Sequence, residues 1–184
     1  MGVVIRRLTE TDWSAFRTIR LRALETAPEV FGTTLDQEAG QPETFWRSRL
    51  ADPLNAMVCG FDGDVPVAFA AQREGAGGNV RHRATIWGVF VAETHRCQGL
   101  GRQLMTALLA LADARPGIEI TELNVRADNL SAITLYERLG FRAIGTIPRA
   151  LKHAGRYGDE VMMIREKPGQ PPLETPGTAQ SPVV

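Results

Sequence analysis

Apolar residues recur along four stretches of the chain at the spacing of an amphipathic helix. These stretches are residues 8–27, 41–50, 102–114 and 130–139. At the start of the first stretch, Thr9 can cap the helix and Asp12 can complete a capping box with it. The third has the strongest helix formers, and the fourth is followed by Gly140, which suits a left-handed cap. The pattern therefore predicts four helices.

Six further stretches are short, apolar and bounded by turn residues, so they are predicted to be strands. They are residues 56–61, 65–71, 84–91, 119–125, 141–147 and 159–165. The first two flank Asp62-Gly63-Asp64, and an Asp-Gly pair supplies the positive φ of a hairpin turn. The third is apolar throughout, which is typical of a central strand covered on both faces. Residues 148–158 are expected to form a long loop.

These elements predict one α/β (α+β) domain, because 184 residues are ordinary for a single core. Hydrophobic residues make up 43% of the chain and charged residues 23%, as in globular proteins. The domain is expected to span residues 1–167. Residues 168–184 are rich in Pro, Gly, Thr and Gln and have little to bury, so a disordered C-terminal tail is expected.

The charge balance argues against several classes of partner. Lys plus Arg and Asp plus Glu each number 21, so no net field attracts a nucleic acid or an anionic membrane. No apolar stretch approaches the ~20 residues of a membrane span or forms a signal peptide, so a cytoplasmic protein is expected. The two cysteines and three scattered histidines form no metal-ligand motif, and no metal is expected.

The segment between the central strand and the strongest helix, residues 91–102, has the make-up of an anion-binding turn. Small residues let backbone N–H groups converge, and the helix that follows adds a partial positive charge. A phosphate can thus be held in a chain without net charge. Gly101 is followed by Arg102-Gln103, which excludes a Walker loop for ATP. Leu104 stands where a dinucleotide fingerprint needs its third glycine, which argues against a nicotinamide cofactor.

Two short motifs occur in order in this half of the chain. Residues 96–101 read Arg-Cys-Gln-Gly-Leu-Gly, and Asn124, Asn129 and the run over residues 132–141 follow. They resemble the Arg/Gln-x-x-Gly-x-Gly/Ala and Asn-x-x-Ala-x-x-x-Tyr-x-x-x-Gly-Phe motifs of the GCN5-related N-acetyltransferases (GNAT). The resemblance implies an acetyltransferase that uses acetyl-CoA. It also implies a mixed, mostly antiparallel sheet, splayed at the acetyl-CoA site and flanked by helices on both faces.

The resemblance further implies roles for single residues. The pyrophosphate of coenzyme A would be bound by Arg96 and by the backbone N–H groups of Cys97, Gln98, Gly99, Leu100, Gly101 and Arg102. Backbone N–H groups near Phe90 and Val91 would stabilise the oxyanion of the thioester carbonyl. Asn129 would contact the coenzyme arm, although it can also cap the short helix. Tyr136 would be the general acid that protonates the departing thiolate.

Two of these residues have an alternative interpretation. Cys97 stands where the family commonly has glycine, and a thiol near a helix N-terminus can become reactive, so a cysteine nucleophile is one alternative. Tyr136 can instead be a half-buried tyrosine of the core.

No general base is evident in the sequence. Many relatives place a glutamate on the central strand, but residues 84–91 contain no carboxylate. Glu74, Glu122 and an ordered water chain are left as alternatives. At pH 7 an α-amine of pKa about 7.7 is neutral roughly one time in six, and a lysine-like amine of pKa about 10.4 about once in 2,500. An enzyme without a strong base is therefore expected to favour an α-amine or another amine of low pKa.

The acceptor is expected to be a small-molecule amine or a peptide amine, bound near Phe31, Gly32 and residues 151–157. Direct transfer of the acetyl group in a ternary complex is the leading hypothesis. A protein N-terminal acetyltransferase and a non-catalytic module that binds acetyl-CoA are the alternatives, and Tyr136 favours an enzyme. A homodimer is left open by the sequence.

Overall fold

The computed structural model describes residues 2–169, which form seven β-strands and five α-helices. The strands are β1 (Val4–Arg7), β2 (Asn55–Asp62), β3 (Val65–Glu74), β4 (Arg83–Val91), β5 (Ile120–Arg126), β6 (Arg142–His153) and β7 (Arg156–Glu166). The helices are α1 (Trp13–Thr26), α2 (Leu35–Ala39), α3 (Glu43–Ala51), α4 (Leu100–Asp113) and α5 (Leu130–Arg138). The predicted tail lies outside the described residues from residue 170 onward.

The strands form one open sheet in the order β1-β2-β3-β4-β5-β7-β6. Neighbouring strands are antiparallel except for β4 and β5, which are parallel. β4 lies in the middle, as its apolar sequence predicts, and β2 and β3 form the predicted hairpin. The mixed, mostly antiparallel sheet implied by the resemblance is thus confirmed.

Helices cover both faces of the sheet. On one face α4 buries Leu104 and Leu108 in a cluster with Tyr136 of α5. On the other face the rings of Phe16 and Trp46, from α1 and α3, meet edge to face at 5.4 Å between centroids. Each large apolar side chain buried in this way stabilises the fold by roughly 1.5–3 kcal/mol. The two layers hold β4 in place between them.

The N-terminal region differs from the prediction in three places. The short edge strand β1 precedes the first helix, and its four residues are too few to give a clear alternation. The Thr9 N–H donates to the Asp12 carboxylate at 2.8 Å as predicted, but a 3-10 turn intervenes and α1 begins at Trp13. Helix α2 was not predicted, although Thr34 and Gln37 form a capping box at its start.

The expected long loop over residues 148–158 is wrong. β6 and β7 continue as a hairpin to the turn at Ala154 and Gly155, with Leu151 paired to Gly158. The register shifts between Ile147 and Leu151, which accommodates Pro148 without a ladder hydrogen bond. Residues 151–157 are therefore the tip of a β-hairpin.

Candidate active site

The central strand parts from its neighbour halfway along its length. β4 and β5 are paired only as far as Ile86 and Leu123, whereas β4 runs on to Val91 and β5 to Arg126. Beyond the last pair the two strands face each other across a gap. This gap is the splay that the resemblance implies.

A bulge in β4 shapes the same place. The register between β3 and β4 shifts beside Gly88, whose φ is +71°, and a Cβ there would lie 2.8 Å from the ring of Phe69. Trp87, Gly88 and Val89 are half-exposed, so the prediction of a strand covered on both faces is wrong at this point. A glycine within an apolar run is a sequence sign of a bulge that could have indicated the site.

A groove of about 400 Å³, here called the donor groove, runs between the end of β4 and the start of α5. Of the predicted site residues, it is lined by Phe90, Val91, Arg96, Gly101, Asn129 and Tyr136. The groove therefore joins the predicted phosphate turn to the predicted acid.

The turn before α4 presents a row of backbone N–H groups. Cys97 and Gly99 adopt left-handed conformations, with φ of 61° and 76°, and α4 begins at Leu100. Within residues 2–169, none of the backbone N–H groups of residues 97–102 donates a hydrogen bond to a carbonyl elsewhere in the backbone. Free N–H groups at a helix N-terminus bind anions such as phosphate. The structure thus brings the predicted phosphate donors together in one turn.

Three arginines surround this turn. Nε of Arg96 donates to the Val91 carbonyl at 3.2 Å, which holds its guanidinium beside the donor groove. Arg102 and Arg138 line an adjoining groove of about 390 Å³ between α4 and α5. No motif of the sequence pointed to Arg138, but its guanidinium suits a phosphate at the nucleotide end of the coenzyme.

A free backbone donor faces the gap at Val91. The N–H of Ala92 donates to the Val67 carbonyl of β3 at 2.8 Å. Because N–H groups of a strand alternate between its two edges, the N–H of Val91 points away from β3 and into the gap. Phe90 points its N–H toward β3, so Val91 is the better of the two candidate donors to the carbonyl.

Asn129 and Tyr136 lie on one face of α5, along the donor groove. The side chain of Asn129 caps the helix by accepting from the Ala132 N–H at 3.2 Å, so only its amide nitrogen is left for the coenzyme. Tyr136 is 6% exposed, packs 6.0 Å from the Phe141 ring, and reaches the groove with its remaining surface. Burial raises the pKa of Tyr136 to about 12.

On the other side of Tyr136 lies a cavity of about 100 Å³, here called the acceptor cavity. It fills the gap between β4 and β5 and is bounded by Phe31, as predicted from the sequence. Val30, Val89, Asn129 and Tyr136 line both this cavity and the donor groove. Tyr136 therefore stands where the two spaces meet.

The acceptor cavity holds two charged residues that sequence reasoning missed. Arg126 of β5 and Glu160 of β7 are paired in the ladder, although 34 positions separate them (160 minus 126). Burial raises the pKa of Glu160, against the opposing effect of Arg126. Arg126 donates to Asp128 at 2.9 Å and to the Glu29 carbonyl at 3.3 Å. Only the strand register reveals this pair.

The carboxylates considered from the sequence lie elsewhere. Glu74 bonds to Arg115 at 2.5 Å, and Glu122 bonds to Arg83 and, at 2.9 Å, to Thr85. Both line a neighbouring cavity of about 350 Å³ and do not line the acceptor cavity.

Two other expectations find no support in the cavity linings. Neither Gly32 nor any of residues 151–157 lines the acceptor cavity or the donor groove. Cys97 is exposed and lines neither space, while Cys59 is buried, which raises its pKa to about 12. Among the residues that the structure describes, no thiol lines the gap.

Two classes of feature are missing from residues 2–169. No three His, Cys, Asp or Glu residues lie where they could hold a metal ion. No helix in that range is long and apolar enough to cross a lipid bilayer.

Comparison with known proteins identifies the class to which this fold and site belong. Residues 13–141 match the Acetyltransferase (GNAT) family, and the chain belongs to that family and is an acyltransferase. Members of this family use acetyl-CoA.

The chain is similar to relatives of more than one kind. The chain is 29% identical to the L-amino acid N-acetyltransferase AaaT of Escherichia coli K12 over 169 residues, covering 90% of this chain and 98% of that protein. It is 42% identical to the [ribosomal protein bS18]-alanine N-acetyltransferase of E. coli K12, but over 62 residues, which cover 34% of this chain and 41% of that enzyme.

A solved structure has the same fold. The structure of yncA from Salmonella typhimurium with its cofactor acetyl-CoA superposes with a TM-score of 0.75 at 19% identity, covering 95% of this chain and 99% of that one. At this identity the likeness concerns the fold.

Proposed function

We propose that this protein transfers the acetyl group of acetyl-CoA directly to the α-amino group of a free amino acid or a close analogue. The observation that carries the proposal is the meeting of the donor groove and the acceptor cavity at Tyr136. A similarity to an L-amino acid N-acetyltransferase over nearly the whole chain supports the acceptor class.

The donor side fits acetyl-CoA. The free N–H groups of residues 97–102 and the guanidinium of Arg96 hold the pyrophosphate, and the arm follows the groove past Asn129. The N–H of Val91 donates to the thioester oxygen, whose negative charge grows as the amine attacks. When bound, acetyl-CoA supplies the activated acetyl group.

The acceptor side provides a counter-charge for each end of an amino acid. Glu160 attracts the ammonium group and accepts its proton, and Arg126 binds the α-carboxylate. Arg126 can exchange partners, because the Asp128 side chain that it now bonds is 68% exposed and contributes little energy there. A cavity of about 100 Å³ suits a small acceptor better than a long peptide chain.

In the transfer step a C–N bond forms and the C–S bond breaks. An ammonium acceptor first releases one proton to solvent by way of Glu160 and so becomes a neutral amine. The neutral amine gives a second proton to Glu160 as the amide forms, and Tyr136 gives one proton to the sulfur. Burial raises the pKa of Tyr136 to about 12, and the same desolvation disfavours a free thiolate beside it. Tyr136 therefore gives its proton to the sulfur as the C–S bond breaks, and the proton held by Glu160 replaces it before the next turnover.

The identity of the acid is tested by Tyr136→Phe, which keeps the ring that packs on Phe141. We expect kcat to fall by about 10²–10⁴-fold, because the proton donor is lost, while the Kd of acetyl-CoA from calorimetry changes less than threefold or so. Retention of wild-type kcat would contradict the proposal and would favour a module that binds acetyl-CoA without catalysis.

The base is tested by the pH dependence of kcat in wild type and Glu160→Gln. The carboxylate must be charged to accept a proton, so kcat falls as the pH drops through the Glu160 pKa. Because burial raises that pKa, the fall begins at a higher pH than for an exposed glutamate. We expect the variant to lack this acidic limb and to be slower by about 10²-fold.

The acceptor class is tested by thiol release with acetyl-CoA and a panel of amino acids, polyamines and peptides. We expect turnover with free α-amino acids and, for lysine, acetylation of the α-amine as determined by mass spectrometry. Exclusive use of peptides that begin with alanine would instead indicate a protein N-terminal acetyltransferase.

A further inference from the structure

A second charged cavity adjoins the acceptor cavity, and we call it the arginine cleft. Its volume is about 260 Å³, and it is lined by Ser48, Arg49, Asp52, Asn55, Arg73 and Trp87. The side of the acceptor cavity nearest to it is also formed by Trp87. The indole of Trp87 therefore forms part of the wall of both spaces.

The carboxylate of the cleft is already matched by a cation. Arg73 donates to Asp52 at 2.7 Å and to the side-chain oxygen of Asn55 at 3.1 Å. The Asp52 carboxylate also accepts from the Leu54 N–H at 2.9 Å, and these bonds lower its pKa. Asp52 thus stays charged and is committed to Arg73.

In the described part of the chain Arg49, unlike Arg20 and Arg73, has no carboxylate to which it is hydrogen-bonded. The carboxylate nearest to it, Glu38, lies 3.8 Å away but takes bonds of 2.9 and 2.8 Å from Arg20 and one of 2.8 Å from Thr33. Within residues 2–169 the Arg49 guanidinium makes no hydrogen bond that satisfies normal geometry. Three arginines, Arg20, Arg49 and Arg73, thus share the two carboxylates of Glu38 and Asp52, which leaves one positive charge in excess.

The guanidinium of Arg49 is held in place by aromatic rings. It lies 5.1 Å from the ring centre of Phe45 and 5.0 Å from that of Trp87, and 31% of its side chain is exposed. Burial, together with repulsion from Arg20 and Arg73, lowers its pKa, although Glu38 opposes this. An arginine whose guanidinium is fixed, partly desolvated and without a hydrogen-bond acceptor can bind a planar anion with two parallel hydrogen bonds.

We propose that the arginine cleft binds a carboxylate that the acceptor carries several bonds away from its reactive amine, with Arg49 as the principal contact. This inference rests on the proposed function. It specifies acidic amino acids within the proposed acceptor class, or adds dipeptides with a free C-terminus to that class. The α-carboxylate itself is adjacent to the amine and falls to Arg126.

The test compares acceptors that differ only in this charge. Glutamate is compared with glutamine, and alanylglycine with alanylglycinamide, by kcat/KM in wild type, Arg49→Met and Arg49→Lys. We expect kcat/KM of the wild type to be about tenfold to hundredfold higher for one charged acceptor than for its uncharged partner. Arg49→Met should lose this preference, and Arg49→Lys should keep part of it. The pair that shows the preference identifies the source of the carboxylate.

Arg47→Met is the matched control, because Arg47 lies on the same helix and bonds to Glu43 outside the cleft. We expect it to leave the preference unchanged. A wild-type ratio near one for both pairs, or an unchanged ratio in Arg49→Met, would overturn the proposed subsite.

Binding of the acetylated products separates the two proposals. N-acetylglutamate and N-acetylglutamine, and the corresponding N-acetylated alanylglycine pair, are titrated into wild type and Arg49→Met by calorimetry. If one charged product binds more tightly than its uncharged partner, and Arg49→Met abolishes that difference, the cleft is supported. This holds even if no acceptor is turned over, in which case only the proposed function fails. Equal binding within both pairs overturns the cleft.

Discussion

At the scale of the residue, the phosphate turn contains an unusual choice at Cys97. Its φ of 61° lies in the left-handed region, where a Cβ costs about 1–2 kcal/mol and glycine costs nothing. The side chain is exposed, so no packing energy offsets that strain. The cysteine side chain thus lowers stability at the turn, and its thiol has no part in the proposed chemistry.

We therefore predict that Cys97→Gly raises the free energy of unfolding by about 0.5–1 kcal/mol, since relief of strain is partly offset by the greater entropy of the unfolded glycine. Urea denaturation measures the change. Cys97→Ala is the control, because it removes the thiol but keeps the Cβ, and it should leave stability within about 0.5 kcal/mol of wild type. Loss of turnover in both variants would instead revive the cysteine nucleophile.

The residues of the site differ in how far the sequence could predict them. Arg96 and Tyr136 belong to local motifs, since a turn and the helix after it are encoded by neighbouring residues. Arg126 and Glu160 come together only through the pairing of β5 with β7, which no local pattern reports. Arg49 and Trp87 meet across two layers of the fold, so the arginine cleft was equally out of reach.

At the scale of the element, β4 is the strand on which the site depends. Its bulge at Gly88 turns the strand away from β5 just where the pairing ends. The helices and the β2–β3 hairpin were predictable, because their periodicity and turn residues are strong. The β6–β7 hairpin was not, because Pro148 and two glycines suggested a loop where a register shift keeps the strands paired.

The bulge should not tolerate a side chain. Gly88→Ala places a Cβ 2.8 Å from the Phe69 ring in addition to the cost of the positive φ, so we predict a loss of about 2–4 kcal/mol in the free energy of unfolding. Turnover should fall as well, because the gap changes shape.

Gly63→Ala separates the two causes of that loss. Gly63 also has a positive φ, of 58°, but a Cβ there has open space around it. We expect this variant to lose about 1–2 kcal/mol, again by urea denaturation, with its turnover intact. Equal losses in the two variants would show that the contact with Phe69 contributes nothing.

At the scale of the whole molecule, hydrogen bonds of Lys167, the residue after β7, fasten the chain to the rest of the domain. The backbone N–H of Lys167 donates to the Glu119 carbonyl at 2.8 Å, and its ammonium group donates to the Arg115 carbonyl at 3.1 Å. These bonds tie the end of the last strand to the segment between α4 and β5. We propose that the folded domain ends here, which agrees with the boundary at residue 167 suggested by composition.

Two truncations test that boundary. A chain that ends at residue 169 keeps the strands and helices described over residues 2–169 and both bonds of Lys167, so we predict an unchanged Tm and unchanged kcat/KM. A chain that ends at residue 166 loses those bonds, worth about 1–2 kcal/mol, and its Tm should fall by roughly 2–8 °C. Calorimetric melting of both chains beside the full-length protein decides the matter. A lower Tm for the longer truncation would mean that residues 170–184 stabilise the domain, and the boundary would then have to move toward the C-terminus.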